Sequence, residues 1–215
     1  MATIKKGIHG PFRGKVGSVI GSSWRNINYI KGLSLKKGRR KPTPAQEEAR
    51  LKFSLLNRFL DPLSRLLETS FGPFTTKATG RNAAFSYNYD HAFISDEQGI
   101  RLNYPQLRFS HGHLVTAGDE RAWFADGKLR VSWHPGTFGM GGAPDDEAYL
   151  LVYDAAKRTF VPMVEATRQD GAAETVDLEY ELDLSKLHVW LFFIDKSGKQ
   201  ASKTIYIPIA DATQE

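Results

Sequence analysis

Residues 188–194 read His188-Val189-Trp190-Leu191-Phe192-Phe193-Ile194, a short apolar run that stops before the turn Lys196-Ser197-Gly198-Lys199. Val189 to Ile194 is apolar enough for a strand at the centre of a sheet. Upstream, Leu129-Arg130-Val131-Ser132-Trp133 alternates cleanly between apolar and polar, the period of a half-buried strand. Further short runs surround these two, among them Leu107–Phe109, Leu114-Val115, Ala122–Phe124, Ala148–Tyr153, Phe160–Val164, Thr175–Tyr180 and Thr204–Ile209. Turn sequences such as Ala125-Asp126-Gly127, Asp154–Lys157 and Gln169-Asp170-Gly171 separate them. Many short strands at this spacing predict an antiparallel immunoglobulin- or fibronectin-like β-sandwich domain over residues 99–215, with Trp133 and Trp190 in its core. No repeat of about twenty to fifty residues is present, so a solenoid or propeller is excluded.

Ahead of the strands the period changes to that of a helix. Thr43-Pro44-Ala45-Gln46 combines an N-cap Thr, Pro at the first helical position and Gln three residues after the cap. Glu47 and Glu48 follow in the first turn, where the helix dipole favours negative charge. Ala49, Phe53, Leu55, Leu56, Phe59 and Leu60 then recur at three- and four-residue spacing. Asp61-Pro62 interrupts this helix, with Asp61 expected to cap a second piece through Leu63, Leu66 and Leu67. Phe71-Gly72-Pro73 ends that piece, and a weaker helical pattern spans Arg81–Phe93. Residues 43–98 thus form a helical segment, and the fold class is α+β.

The first 42 residues differ from everything after them. Residues 1–46 hold eleven Lys and Arg, seven Gly and no Asp or Glu. The formal +5 of the chain therefore divides into +11 on this leading stretch and −6 on residues 47–215. Glycine at this density opposes a helix by about 1 kcal/mol per residue. Residues 1–42 read instead as an extended, basic, Gly-rich arm, with Trp24, Ile27, Tyr29 and Ile30 on a strand that has one adhesive face. A lone strand does not offset its own ordering entropy, so this arm is expected to dock on folded protein.

Composition removes several classes of function. The chain has no cysteine, which excludes disulfides, thiolate catalysis and Cys-ligated zinc. Glycines interrupt every candidate signal-peptide core, and no stretch has the length of a membrane span. The expectation is a cytoplasmic protein as synthesised, with no cofactor. Gly14-Lys15-Val16-Gly17-Ser18 lacks the spacing of a phosphate loop. His111 and His113 flank Gly112 with no carboxylate close in sequence, an arrangement that favours hydrogen-bonded histidines over zinc ligands. Asp145-Asp146-Glu147 lacks the alternating ligands of a calcium loop and reads as a solvated turn. No Gly-x-Ser-x-Gly elbow marks a nucleophile.

The arm's GKVGSVIGSSWRNINYIKG, then KPTPAQEEARLKF, VSWHPG, DDEAYLLVYDAAKRTF and VWLFFIDKSGKQASKTIYI, occur in one order along nearly the whole chain. In that order the sequence resembles a family of roughly 200-residue bacterial proteins, best known from the Bacteroidetes and classed as a domain of unknown function. The resemblance implies the domain order and no catalytic residue. Two roles follow from the residues themselves. The first is a non-enzymatic assembly protein, in which Val16, Val19, Ile20, Trp24, Ile27, Tyr29 and Ile30 dock on a sheet edge or groove, that of the arm's own body or, as the favoured case, of a neighbouring copy in a homo-oligomer. The alternative is a nucleic-acid binder, in which Lys36, Lys37, Arg39, Arg40 and Lys41 contact phosphates while Trp24 and Tyr29 stack on bases.

Overall fold

The computed structural model describes residues 3–4, 10–24, 27–33, 41–74, 78–97, 99–137, 139, 141–175 and 183–210. The chain is mixed helix and sheet, mostly antiparallel strands with one long helix. It divides into two compact units, Met1–Thr43 and Pro44–Glu215.

The first unit is a four-stranded antiparallel meander in the order β1 (Thr3–Ile4), β2 (Phe12–Val16), β3 (Val19–Trp24) and β4 (Ile27–Gly32). The expected extended segments are therefore present, but they pair with one another. A hairpin meander supplies partners for its own backbone, which a single strand lacks.

The second unit opens with α1 (Pro44–Leu60), starting at the proline, with Glu47 in its first turn and Arg58 in its last. A 3-10 turn, Asp61–Leu63, leads into α2 (Ser64–Ser70). Asp61 does not cap α2: no side-chain cap bond is made there, and its carboxylate lies 3.5 Å from Arg81. The third helix, α3 (Gly80–His91), is capped by Thr79, whose hydroxyl accepts from Asn82 N–H at 3.2 Å. The helical pattern stops there, because a hairpin of β5 (Phe93–Asp96) and β6 (Gly99–Leu102) follows.

The remaining strands are β7 (Arg121–Ala125), β8 (Lys128–Ser132), β9 (Glu147–Asp154), β10 (Thr159–Val161), β11 (Ala166–Thr167), β12 (Ala172–Glu174), β13 (Leu187–Ile194) and β14 (Ile205–Ile207). They form a five-stranded sheet, β10-β9-β13-β14 with β11 also on β9, and a three-stranded sheet, β12-β8-β7. At the centre, β13 pairs with β9 along its whole length and with β14 on its other side.

The apolar run at 188–194 has a direct cause. Trp190, Phe192 and Ile194 enter a cluster with Leu56, Leu60, Leu67 and Phe71 of the helical region. Val189, Leu191 and Phe193 enter a second cluster with Leu129 and Val131 of β8 and Ala122 of β7. Both faces of this strand are covered, so it tolerates no alternation. Trp133 sits in the cluster between the two sheets, whereas Trp190 sits on the helical side.

Leu107 and Phe109 are buried, but Leu107–Phe109 is not a strand. Side chains satisfy its backbone instead. Asn88 receives Arg108 N–H and donates to Arg108 C=O, each at 2.8 Å, and the Thr204 hydroxyl accepts from Phe109 and Ser110 N–H, each at 2.9 Å. These bonds let irregular chain lie against the core by pairing backbone groups that no strand ladder satisfies. Asp146 likewise departs from the expected solvated turn. It is buried, and its carboxylate lies 3.1 Å from Nε of the fully buried Arg168.

Candidate functional site

Glycine builds the N-terminal sheet at two kinds of position. Gly17 and Ser18 join β2 to β3, with Val16 opposite Val19. Gly17 has φ +55° at the first loop position, where a two-residue type II′ hairpin requires glycine. Gly21 serves close approach instead. A Cβ there would lie 2.1 Å from the Phe12 carbonyl oxygen and 2.6 Å from its ring.

The register fixes which side chains share a face, since directly opposed residues point the same way. Lys15 opposes Ile20, and Ile20 opposes Lys31. Ser22 opposes Tyr29, and Trp24 opposes Ile27. With Arg13 two residues before Lys15, these make one face that is basic and aromatic. On the other face Gly14, Gly21 and Ile30 align, as do Val16, Val19 and Gly32, with Phe12, Ser23 and Asn28 beside them. Among the described strands β2, β3 and β4, every cation lies on the first face and the second carries no charge.

The seven candidate docking residues are accordingly divided. Ile20, Trp24, Ile27 and Tyr29 stand on the basic face, and Val16, Val19 and Ile30 on the uncharged one. Trp24 is 55%, Ile27 63% and Ile30 65% exposed, so their own sheet leaves them open. Of the candidate polyanion contacts, Lys36, Lys37, Arg39 and Arg40 lie outside the described residues, and Lys41 is exposed. The cations placed by the sheet are Arg13, Lys15 and Lys31. The missed signal was Gly17-Ser18 between two apolar-containing runs, a recognised hairpin sequence.

Among the described strands the sheet ends at β4. Leu33 N–H donates to the Ser18 carbonyl at 2.8 Å, and this bond sets the phase of the ladder. Residues 27, 29 and 31 direct their backbone polar groups toward β3, and Asn28, Ile30 and Gly32 direct theirs outward. All six residues of β4 are exposed. Lys31 is the sole charge on this edge strand, where native edges usually carry charge, proline or a bulge.

Other candidate chemistry is structural. The His111 ring packs edge-on against Phe74 at 4.0 Å. No group of three or more His, Asp or Glu that could hold a metal ion occurs among the described residues. Among those residues no helix is long and apolar enough to cross a membrane.

A family model described as "Family of unknown function (DUF6266)" matches residues 10–208. The chain belongs to this family. The match begins at Gly10, just before β2, and runs past β14, so it includes most of the N-terminal sheet and the core of the second unit. Searches of curated proteins and of solved structures found no match.

Proposed function

We propose that this DUF6266 protein is a non-enzymatic assembly component whose N-terminal sheet joins a second copy by strand addition at β4. The observation that carries the reading is the outer edge of β4: among the described residues only β3 pairs with it, all six of its residues are exposed, and the Asn28, Ile30 and Gly32 backbone groups point outward. Strand addition satisfies those groups directly. An antiparallel β4–β4 pair centred on Ile30 sets Ile30 against Ile30, Asn28 against Gly32 and Tyr29 against Lys31 of the second copy. That register places no like charges opposite each other and puts an ammonium beside a ring. Centring on Lys31 would oppose two lysines and is disfavoured. We further read the strands of the second unit as an immunoglobulin- or fibronectin-like sandwich, supported by the apolar cluster that its two antiparallel sheets share.

Ile30→Pro tests the assembly. Its N–H faces outward, so proline keeps the meander and removes the donor at the centre of the new pair. Light scattering after size exclusion is expected to give a dimer for the parent chain and a monomer for Ile30→Pro. A monomeric parent, or a variant that stays dimeric, refutes the reading.

A second reading rests on the other face, which Arg13, Lys15 and Lys31 share with Trp24 and Tyr29. Phosphate contact with base stacking is the chemistry of single-strand binders. Retention of a labelled oligonucleotide that falls steeply with salt and survives Ile30→Pro would favour it.

A further inference from the structure

A cleft of about 930 Å³ opens in the second unit between the end of α1, strand β6 and the β9–β10 hairpin. This is the size range of small-molecule sites. Its floor is aromatic. Phe59 meets Tyr153 edge-on at 4.8 Å, Phe160 lies 5.0 Å from Tyr153, and Tyr104 lies 5.8 Å from it. Neither the Tyr104 nor the Tyr153 hydroxyl has a hydrogen-bond partner among the described residues; Tyr104 is half-buried at the cleft, and Tyr153 is 8% exposed beneath it.

The rim is cationic. Arg58, Arg101 and Arg158 line the cleft against one carboxylate, Asp61. Arg101 is engaged by Asp96 through two bonds of 3.0 and 2.7 Å, and Asp61 faces Arg81. Arg58 and Arg158 have no carboxylate partner among the described residues. Both act on one point: burial pushes the Tyr153 phenol up, Tyr104 adds to that, and Arg158 and Arg58 pull it back.

Arg158 is also the residue whose backbone is least expected. It ends the loop from Asp154 to Thr159 with φ +57°, a left-handed position at which hairpin loops favour glycine. Asp154 holds the turn by accepting from Ala156 and Lys157 N–H at 2.8 and 3.0 Å. The loop thus closes without help from the Arg158 side chain. An arginine standing where glycine would relieve strain points to a role outside folding.

We infer that this cleft binds a small organic anion, a phosphate or carboxylate carried on a planar ring, with the ring on the Tyr153 floor and the anion between Arg58 and Arg158. Two guanidinium groups suit such an anion, and the face of a ring suits the aromatic floor. This inference is independent of the β4 edge.

Calorimetric titration of the full chain with phenyl phosphate, inorganic phosphate and phenol tests it. Phenyl phosphate is expected to bind about tenfold or more tighter than either part alone, and Arg58→Gln and Arg158→Gly each to weaken it about tenfold. Arg158→Gly is expected to melt no lower than the parent, because glycine suits the loop. The site is refuted if phenyl phosphate shows no saturable binding, or binds no tighter than inorganic phosphate. Unchanged affinity in Arg58→Gln refutes it even if Arg158→Gly fails to fold.

Discussion

Arg168 carries its charge into the interior of the second unit. Its Nε meets Asp146 at 3.1 Å, its Nη2 donates to Val115 C=O at 2.9 Å, and its guanidinium carbon lies 4.0 Å from the centre of the Phe193 ring. Asp146 also accepts from Ala143 N–H at 2.9 Å, which ties the glycine-rich loop ahead of β9 to the sheets. A buried pair contributes little net stability over an apolar replacement, but removal of one partner strands the other charge. Asp146→Asn is therefore expected to cost about 3–5 kcal/mol in denaturant unfolding. The double replacement Arg168→Met with Asp146→Leu is expected to cost less than the single one. A loss below about 1 kcal/mol for Asp146→Asn would mean that water reaches the guanidinium. Nothing local in Asp145-Asp146-Glu147 marks the middle carboxylate as buried, because its partner lies 22 residues away.

At the scale of elements, the N-terminal sheet depends on Gly21 as much as on any apolar residue. The 2.1 Å approach to the Phe12 carbonyl leaves no room for a Cβ against backbone. Gly21→Val is expected to disrupt the β2–β3 pairing and, with it, the β4 edge and any dimer it forms. Amide signals of residues 10–33 would lose their strand shifts, while those of residues 44–210 would keep theirs. An unchanged N-terminal spectrum would overturn this account of the glycine. Helix α1 was the most legible element, because Thr43-Pro44 and Asp61-Pro62 bracket it with chemistry that acts within one turn. The meander was less legible. Each of its strands reads as a lone extended piece until the Gly17-Ser18 turn is weighed as a hairpin.

For the whole molecule, the two large apolar clusters both lie within the unit that begins at Pro44. A chain starting at residue 44 is expected to fold with the thermal midpoint of that unit in the full protein, by circular dichroism and calorimetry. Loss of cooperative unfolding would show that the N-terminal sheet is required for its core. Leu56 and Leu67 of the helical region share one cluster with Trp190 and Phe192 of the strand region.

The sequence by itself determined where α1 begins and ends, the antiparallel strand-rich character, the split of charge between leader and body, and the central place of Val189–Ile194. These follow from local sterics and side-chain periodicity, which act over a few residues. Tertiary structure alone decided that the leading segments pair into a sheet with a basic face and an uncharged one. It also decided that Asp146 meets Arg168, and that Arg58, Tyr104, Tyr153 and Arg158 surround one cleft. Those arrangements join residues far apart in the chain, and no local pattern encodes a contact that only packing and register create.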